Sequence, residues 1–468
     1  MLATLPTVAE TQARMGLWAL AVIAGVFAVM VVLIRWRIAI GYVLLIAAVM
    51  LGVALGVGFS EAHGTGLEWV LAGVWNLLGR MIGIALEVDS LRLLCLVLTI
   101  TVFGAVMKHV EKLQALTNSL LALLRDRRWA MGWLSSLIGL LPMPGGAMVS
   151  APMVGEVAKD LDISAEDKAA INHWMRHIWE YVDPLYPGLL VASKVFAVSV
   201  TGLMLAQAPL TVAAVIAGVV FLLRIVPRHQ RKVGDEAGAR SIGPVVKAIT
   251  PVLLVIAAAI VPQGAAIAAK NAPAVVRVLP GGVRWLDRGF VRGATETSML
   301  LALFAVIAAL LLANRVGRSD SWALVKKGVT LKMTALVLSI CVVQGVLKES
   351  QTGDAITAFL KSTGLPAPFV IGTVVFIVGM LLGYTYGFVS ICYPVLDSMM
   401  RLPDQSLNYP LAAFAFALGF LGVLLSPTHL CLVLSREHFD AGWGGIYRRL
   451  LPPSFIVFLT ACLMLFWA

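Results

Sequence analysis

Charge is scarce in this chain. Asp, Glu, Lys and Arg together make up 13% of its 468 residues, about half the share in soluble domains. Hydrophobic residues make up 60%. That balance excludes a soluble protein and predicts a polytopic membrane protein, all α-helical. Cysteine is also sparse. Cys95, Cys341, Cys392, Cys431 and Cys462 lie in or beside apolar segments, and none forms a C-x-x-C pair. They read as small buried hydrophobes rather than disulfides or metal ligands. No G-x-x-x-x-G-K-[ST] segment occurs, which excludes a P-loop nucleotide site, and H-E-x-x-H is absent. The first 15 residues lack the basic start of a cleavable signal peptide, so the first span, from about Gly16, is expected to be retained.

The net charge of +11 does not indicate a nucleic-acid partner. The basic residues fall in short loops between apolar spans, where the positive-inside rule expects them. Apolar runs of spanning length occur near residues 16–34, 38–58, 91–107, 129–158, 171–203, 207–226, 243–262, 296–313, 332–347, 366–400, 408–435 and 450–467. Two of them, 129–158 and 366–400, are too long for one crossing and are broken in the middle. The segment 67–87 is apolar but carries Arg80, and is expected to be interfacial, with a re-entrant element as the alternative. If both broken runs enter and leave by one face, the basic clusters around Arg35, Lys108, Arg228, Arg315 and Arg448 share one side, the cytoplasm. Ten crossings and two hairpins then leave both termini outside. The loop 263–295, with Arg277, Arg284, Arg288 and Arg292, lies on the external side and is the one discord.

The chain repeats itself. "LVLTITVFGAVMK" (Leu96–Lys108) and "LVLSICVVQGVLK" (Leu336–Lys348) are identical at seven of thirteen positions, at a spacing of 240. Gly145 and Pro152 recur as Gly387 and Pro394, and "LVASK" recurs as "LVLSR", both at a spacing of 242. Two homologous halves follow, 16–227 and 243–467, joined by a cytoplasmic linker at 228–242. Each half carries five crossings, an odd number, so the halves are expected to insert with opposite orientation. Inverted repeats with broken helices mark secondary transporters, whose sites lie between the repeats near the bilayer midplane. After each matched span comes an amphipathic stretch, such as the one carrying Leu113, Leu116, Leu120 and Leu124 on one helical face. These stretches are either arms in the membrane plane or plain connectors.

The breaks name the candidate residues. The first broken run holds "PMPGGA", with Pro144, Gly145 and Gly146, followed by Ser150. The second holds "GYTYGFVS", with Thr385, Tyr386, Gly387 and Ser390. Proline and glycine disfavour continuous helix, and non-helical backbone at membrane depth is tolerated only where protein buries it or a wet cavity uses it. Two re-entrant hairpins are therefore expected. Amides at their tips suit an anion, and carbonyls suit a cation such as Na⁺. Each hairpin precedes a span with its own break: "WEYVDPLYPG", with Asp183 and Tyr186, and "LLSPTHL", with Ser426, Thr428 and His429. His173, Arg176, His177 and Glu180 fall at i, i+3, i+4 and i+7 before Asp183, one polar stripe on an expected helix. An ionised side chain at the bilayer centre costs about 2.5–3.5 kcal/mol on insertion scales, so the stripe is expected to face the bundle interior. Arg176 either pairs with Glu180 along the helix or holds an anionic substrate while a histidine or carboxylate carries a proton. His173 and His177 have the spacing of a zinc pair, but a hydrogen-bonded polar stripe accounts for them, and no transition metal is expected. Lys194 and Arg436 are expected to snorkel at span ends.

"LPMPGGAMVSAPMV", "NHWMRHIWEYVDPLYPG" and "SPTHLC" resemble a prokaryotic family of integral membrane proteins catalogued as a domain of unknown function. That family is grouped with the ion transporter superfamily, beside divalent-anion/sodium symporters, gluconate permeases and arsenite pumps. The resemblance implies an elevator-type carrier with scaffold and transport domains, a homodimer in the cytoplasmic (inner) membrane, driven by Na⁺ or H⁺. The Ser-Asn-Thr hairpin motifs of the dicarboxylate symporters are replaced here by Pro144-Gly145-Gly146 and Thr385-Tyr386-Gly387. The expected function is ion-coupled transport of a small anionic organic solute in contact with membrane lipid, without a cofactor. An anion channel or a lipid-linked anion flippase is the alternative. A membrane enzyme using the His/Glu/Asp stripe has no need of two inverted repeats.

Overall fold

A computed structural model describes residues 8–36, 38–59, 61–111, 126–141, 146–159, 161–227, 242–271, 288–350 and 362–467, with isolated residues between 115 and 124 and between 355 and 359. Pro144 and Gly145 lie outside the described residues, as does most of the linker 228–242 and of both amphipathic stretches.

The described chain is helical. Before the first broken run come α1 (Val8–Arg35), α2 (Ile40–Ala54), α3 (Leu67–Leu86) and α4 (Val88–His109). The run itself forms α5 (Arg127–Gly139) and α6 (Ala147–Val157), which pack on each other. The next span is α7 (Ala165–His177) and α8 (Pro187–Phe196), followed by α9 (Val200–Phe221). The second part of the chain opens with α10 (Gly243–Asn271), α11 (Arg288–Ala313), α12 (Arg318–Gly328) and α13 (Leu331–Glu349). Its broken run forms α14 (Ala367–Leu382) and α15 (Thr385–Leu396), again packed together, and its broken span forms α16 (Tyr409–Leu424) and α17 (Leu430–Phe439). The last helix is α18 (Trp443–Met464).

Local signals account for the boundaries. Asp126, Ser164, Ser199, Thr330 and Asn408 each accept a backbone N–H from the first turn of α5, α7, α9, α13 and α16 respectively, satisfying donors that a helix start leaves open. Gly383 ends α14 in the left-handed region, at φ +72°. A side chain there would also strike Thr428 and the backbone of His429. Seven helices among the described residues are long and apolar enough to cross a membrane: α3, α4, α9, α10, α11, α13 and α18. The protein is a multi-pass integral membrane protein.

The segment 67–87 forms without the re-entrant break that was its alternative. It is one uninterrupted helix, α3, with the length and apolarity of a span and no re-entrant break. Arg80, the reason for setting it aside, donates to Glu61 at 2.7 Å and to Glu349 at 2.8 Å. A charge held by two carboxylates no longer argues against an apolar helix.

Partners exchange between the two parts of the chain. α3 packs on α13, and α12 packs on α4. α2 packs on α13, and α11 packs on α4. α6 packs on α17, and α15 packs on α8. α9 and α18 pack on each other. At the centre lie α7 and α16, the first segments of the broken spans. α16 is apolar all round and buried from Leu411 to Leu424, as a helix without a polar face must be. Glycine sets how closely the broken runs approach these spans. A Cβ on Gly379 would stand 2.1 Å from the carbonyl oxygen of Gly419, and one on Gly139 would stand 1.9 Å from that of Arg176. Backbone therefore meets backbone where α14 crosses α16 and where α5 crosses α7.

Candidate functional site

The two broken spans face each other, and their breaks meet. α7 ends at His177, so Glu180 and Asp183 do not continue its helical stripe as expected. They sit in a chain of turns at 178–186, where the Asp183 N–H donates to Trp179 O at 2.8 Å. The proline at the start of "DPLYPG" cannot serve as an interior helical donor, and Pro187 instead opens α8. The second break, 425–429, is shorter and holds Pro427.

At the meeting point His177 Nε2 lies 3.1 Å from His429 Nε2, joining residues 252 apart in sequence. His173 packs against both rings, with centroids 4.7 Å from His177 and 5.2 Å from His429. All three imidazoles are buried. Glu180 stands beside them, one carboxylate oxygen 3.6 Å from His177 Nε2 and the other accepting from Thr385 Oγ1 at 2.9 Å. Thr385 is the first residue of α15, so this bond ties the tip of the second broken run to the break of the first span. Arg176 is fully buried. Its Nη1 donates to Cys431 Sγ at 3.1 Å, and its guanidinium fills the space that a side chain on Gly146 would need. It therefore lies at the start of α6, the tip of the first broken run. Cys431 is thus more than the small hydrophobe expected, since its sulfur takes part in the polar cluster.

The remaining candidates divide into straps and helix residues. Tyr186 OH donates to Gly139 O at 2.7 Å, closing the end of α5. Ser426 Oγ donates to Met380 O at 2.6 Å and lies 2.8 Å from Thr428 Oγ1, while Thr428 reaches Leu381 O at 3.4 Å, closing the end of α14. Asp183 Oδ1 accepts from the Leu185 N–H at 2.9 Å, and its buried Oδ2 has no hydrogen-bond partner among the described residues. Ser150 and Ser390 turn back on their own helices, to Gly146 O and Tyr386 O. Gly387 makes room for the Tyr384 ring. Tyr386 points away from the cluster, lining an apolar crevice with Leu93, Val97, Val191 and Leu336. The structure therefore brings together His173, Arg176, His177, Glu180, Gly146, Thr385 and His429, and leaves Ser150, Tyr386, Gly387 and Ser390 in packing roles. Lys194 is held by Ser90 at 2.8 Å, and Arg436 lies over the Trp443 ring, 5.1 Å from its centroid.

Two further polar contacts join the first and second parts of the chain. Asn172 accepts from Ser135 at 3.1 Å and donates to Ser435 at 2.9 Å. Arg449 pairs with Asp167 at 2.7 Å. Ser135, Asn172 and Ser435 are short polar residues among apolar ones, the one trace the first contact leaves in the sequence.

Residues 19–277 and 295–467 match the family model described as "Protein of unknown function (DUF401)". The chain belongs to this family. No curated protein matches it. Among solved structures the DUF401 chain is similar to the Alcanivorax borkumensis YdaH transporter, whose crystal structure is described as having an unusual topology. The TM-score is 0.59 at 16% sequence identity, over 94% of this chain and 98% of that one. The likeness is one of fold.

Proposed function

We propose that the protein is an ion-coupled secondary transporter of a small anionic organic solute, driven by Na⁺ or H⁺. The observation that carries this reading is the buried Arg176 guanidinium at Gly146, at the start of α6. A helix N-terminus and a guanidinium converge there, and both favour a carboxylate or phosphate group. The fold shared with a transporter supports the same reading.

In this proposal the broken runs are re-entrant hairpins, and 16–227 and 243–467 are inverted repeats. The exchange of packing partners between the halves supports it, as does the recurrence of Gly139 as Gly379, 240 residues on, each at a backbone crossing. Hairpins and broken spans form a transport domain that slides against α2, α4, α11 and α13, giving alternating access by an elevator motion. Two places suit the coupling ion. Asp183, with an unsatisfied carboxylate oxygen, suits Na⁺, and the imidazole cluster suits H⁺. Kinship with divalent-anion/sodium symporters and gluconate permeases, a homodimeric state and residence in a prokaryotic inner membrane belong to the same proposal.

Uptake into proteoliposomes under imposed Na⁺ or pH gradients tests it, with a panel of small mono- and dicarboxylates as solutes. The expected result is saturable accumulation of at least one of them that needs a gradient. Flux that neither saturates nor responds to a gradient overturns the carrier in favour of a channel.

A further inference from the structure

His177 and His429 are fixed in tautomer by their outer nitrogens. His177 Nδ1 lies 2.6 Å from His173 O, and His429 Nδ1 lies 2.7 Å from Gly383 O. A backbone carbonyl only accepts, so each Nδ1 carries a proton. In a neutral imidazole the other nitrogen is then a bare acceptor. Yet the two Nε2 atoms face each other at 3.1 Å, the distance of a hydrogen bond. Two lone pairs at that separation repel. One additional proton between them converts the contact into an imidazolium–imidazole bond. The remaining histidine does not supply it, because His173 Nε2 donates to Leu424 O at 3.0 Å and its Nδ1 has no hydrogen-bond partner among the described residues.

We infer that His177 and His429 together bind one proton, shared between their Nε2 atoms, and that this proton is the coupling ion. The inference rests on the carrier reading above for its role in transport, but not for the binding itself. On loading, one proton from the aqueous side adds to either Nε2 lone pair, no other bond breaks, and the pair gains one positive charge. On release the same N–H bond breaks toward the opposite side. Glu180, 3.6 Å from His177 Nε2, is the counter-charge, and Thr385 Oγ1 holds its other oxygen. The titratable and charged groups facing the pair are His173 and Arg176 on α7, Glu180 in the break after it, and Cys431 at the start of α17. α16 presents Phe420 and the second hairpin presents Thr385. Since one ring comes from each half and one Nδ1 is held by the hairpin's Gly383, the proton sits where both halves and the tip must come together.

Histidine-nitrogen NMR of isotope-labelled full-length protein in liposomes tests this without any solute. The expected result is a single proton gained by two rings, seen as paired Nε2 resonances shifted together between the neutral and protonated positions. His177→Gln and His429→Gln should each abolish the shared signal and return the surviving ring to an unprotonated Nε2. Two Nε2 resonances that stay unprotonated at every pH at which the protein remains folded, or two rings that titrate independently, overturn the shared proton. So does stoichiometric transition metal in the purified protein by elemental analysis. Loss of the signal in this experiment leaves the carrier reading to the uptake assay. A shared proton that persists while uptake follows a Na⁺ gradient alone, with no alkalinisation of the external medium, overturns its role as coupling ion.

Discussion

The two broken spans have the same plan and different chemistry. Each first segment, α7 or α16, is buried at the centre, and each break sends a hydroxyl to close the first helix of the broken run beside it. Tyr186 caps α5 through Gly139 O, and Ser426 caps α14 through Met380 O. The first span, however, carries Arg176, Glu180 and Asp183, all buried, while the described residues of α16 and its break carry hydroxyls and one imidazole. Under the proposed inverted repeat, the two spans share one plan while the charge lies on one side only. A carrier needs both properties: two similar halves to give two similar end states, and one asymmetric site to distinguish solute from ion.

The asymmetry is most sharply tested at Arg176. We predict that Arg176→Gln lowers affinity for the transported anion by roughly a hundredfold, as expected for a lost hydrogen bond to a charged group worth about 3 kcal/mol, measured as half-saturation in proteoliposome uptake. An unchanged half-saturation would place the anion elsewhere. Next in size is Asp183→Asn, which keeps an acceptor for the Leu185 N–H and removes the charge. Gradient-driven uptake should fall by about tenfold or more, equivalent to at least about 1.4 kcal/mol, with thermal stability retained. Equal uptake in wild type and variant would reduce Asp183 to a turn residue.

The symmetry is tested by paired substitutions. Gly139→Ala and Gly379→Ala each drive a methyl into a carbonyl oxygen of the neighbouring helix. Each should destabilise the protein by about 1–3 kcal/mol, the usual range for overpacking, read as a lower midpoint in detergent thermal unfolding. A large effect at one position and none at the other would break the equivalence of the halves. The smallest effects are expected at the straps. Tyr186→Phe and Ser426→Ala each remove one hydrogen bond and should cost about 1 kcal/mol by the same measurement.

Much of this arrangement was legible from composition and punctuation. Pro and Gly at 142–146, Gly383, Pro184 and Pro427 mark breaks because they act on the local backbone, which sequence records directly. The polar stripe from His173 to Asp183 was visible for the same reason, although α7 ends sooner than the stripe. The partners of Arg80 were not legible, because the carboxylates that hold it, Glu61 and Glu349, are 19 and 269 residues away. Ser150, Gly387 and Ser390 resembled tip ligands; the contacts they show are to carbonyls of their own helices or to the Tyr384 ring, and Tyr386 lines an apolar crevice. The contact between His177 and His429, and the bond from Arg176 to the sulfur of Cys431, depend on how helices 252 and 255 residues apart are rotated. No local pattern encodes that.

The glycine crossings carry a mechanical consequence. Where Gly139 meets the backbone of Arg176, and Gly379 that of Gly419, no side chain intervenes to act as a bearing. Each hairpin leg is keyed to its broken span like two gear teeth in mesh, and neither can slide without a carbonyl striking an α-carbon. Any large displacement must therefore carry the helix of the broken run and its span as one piece.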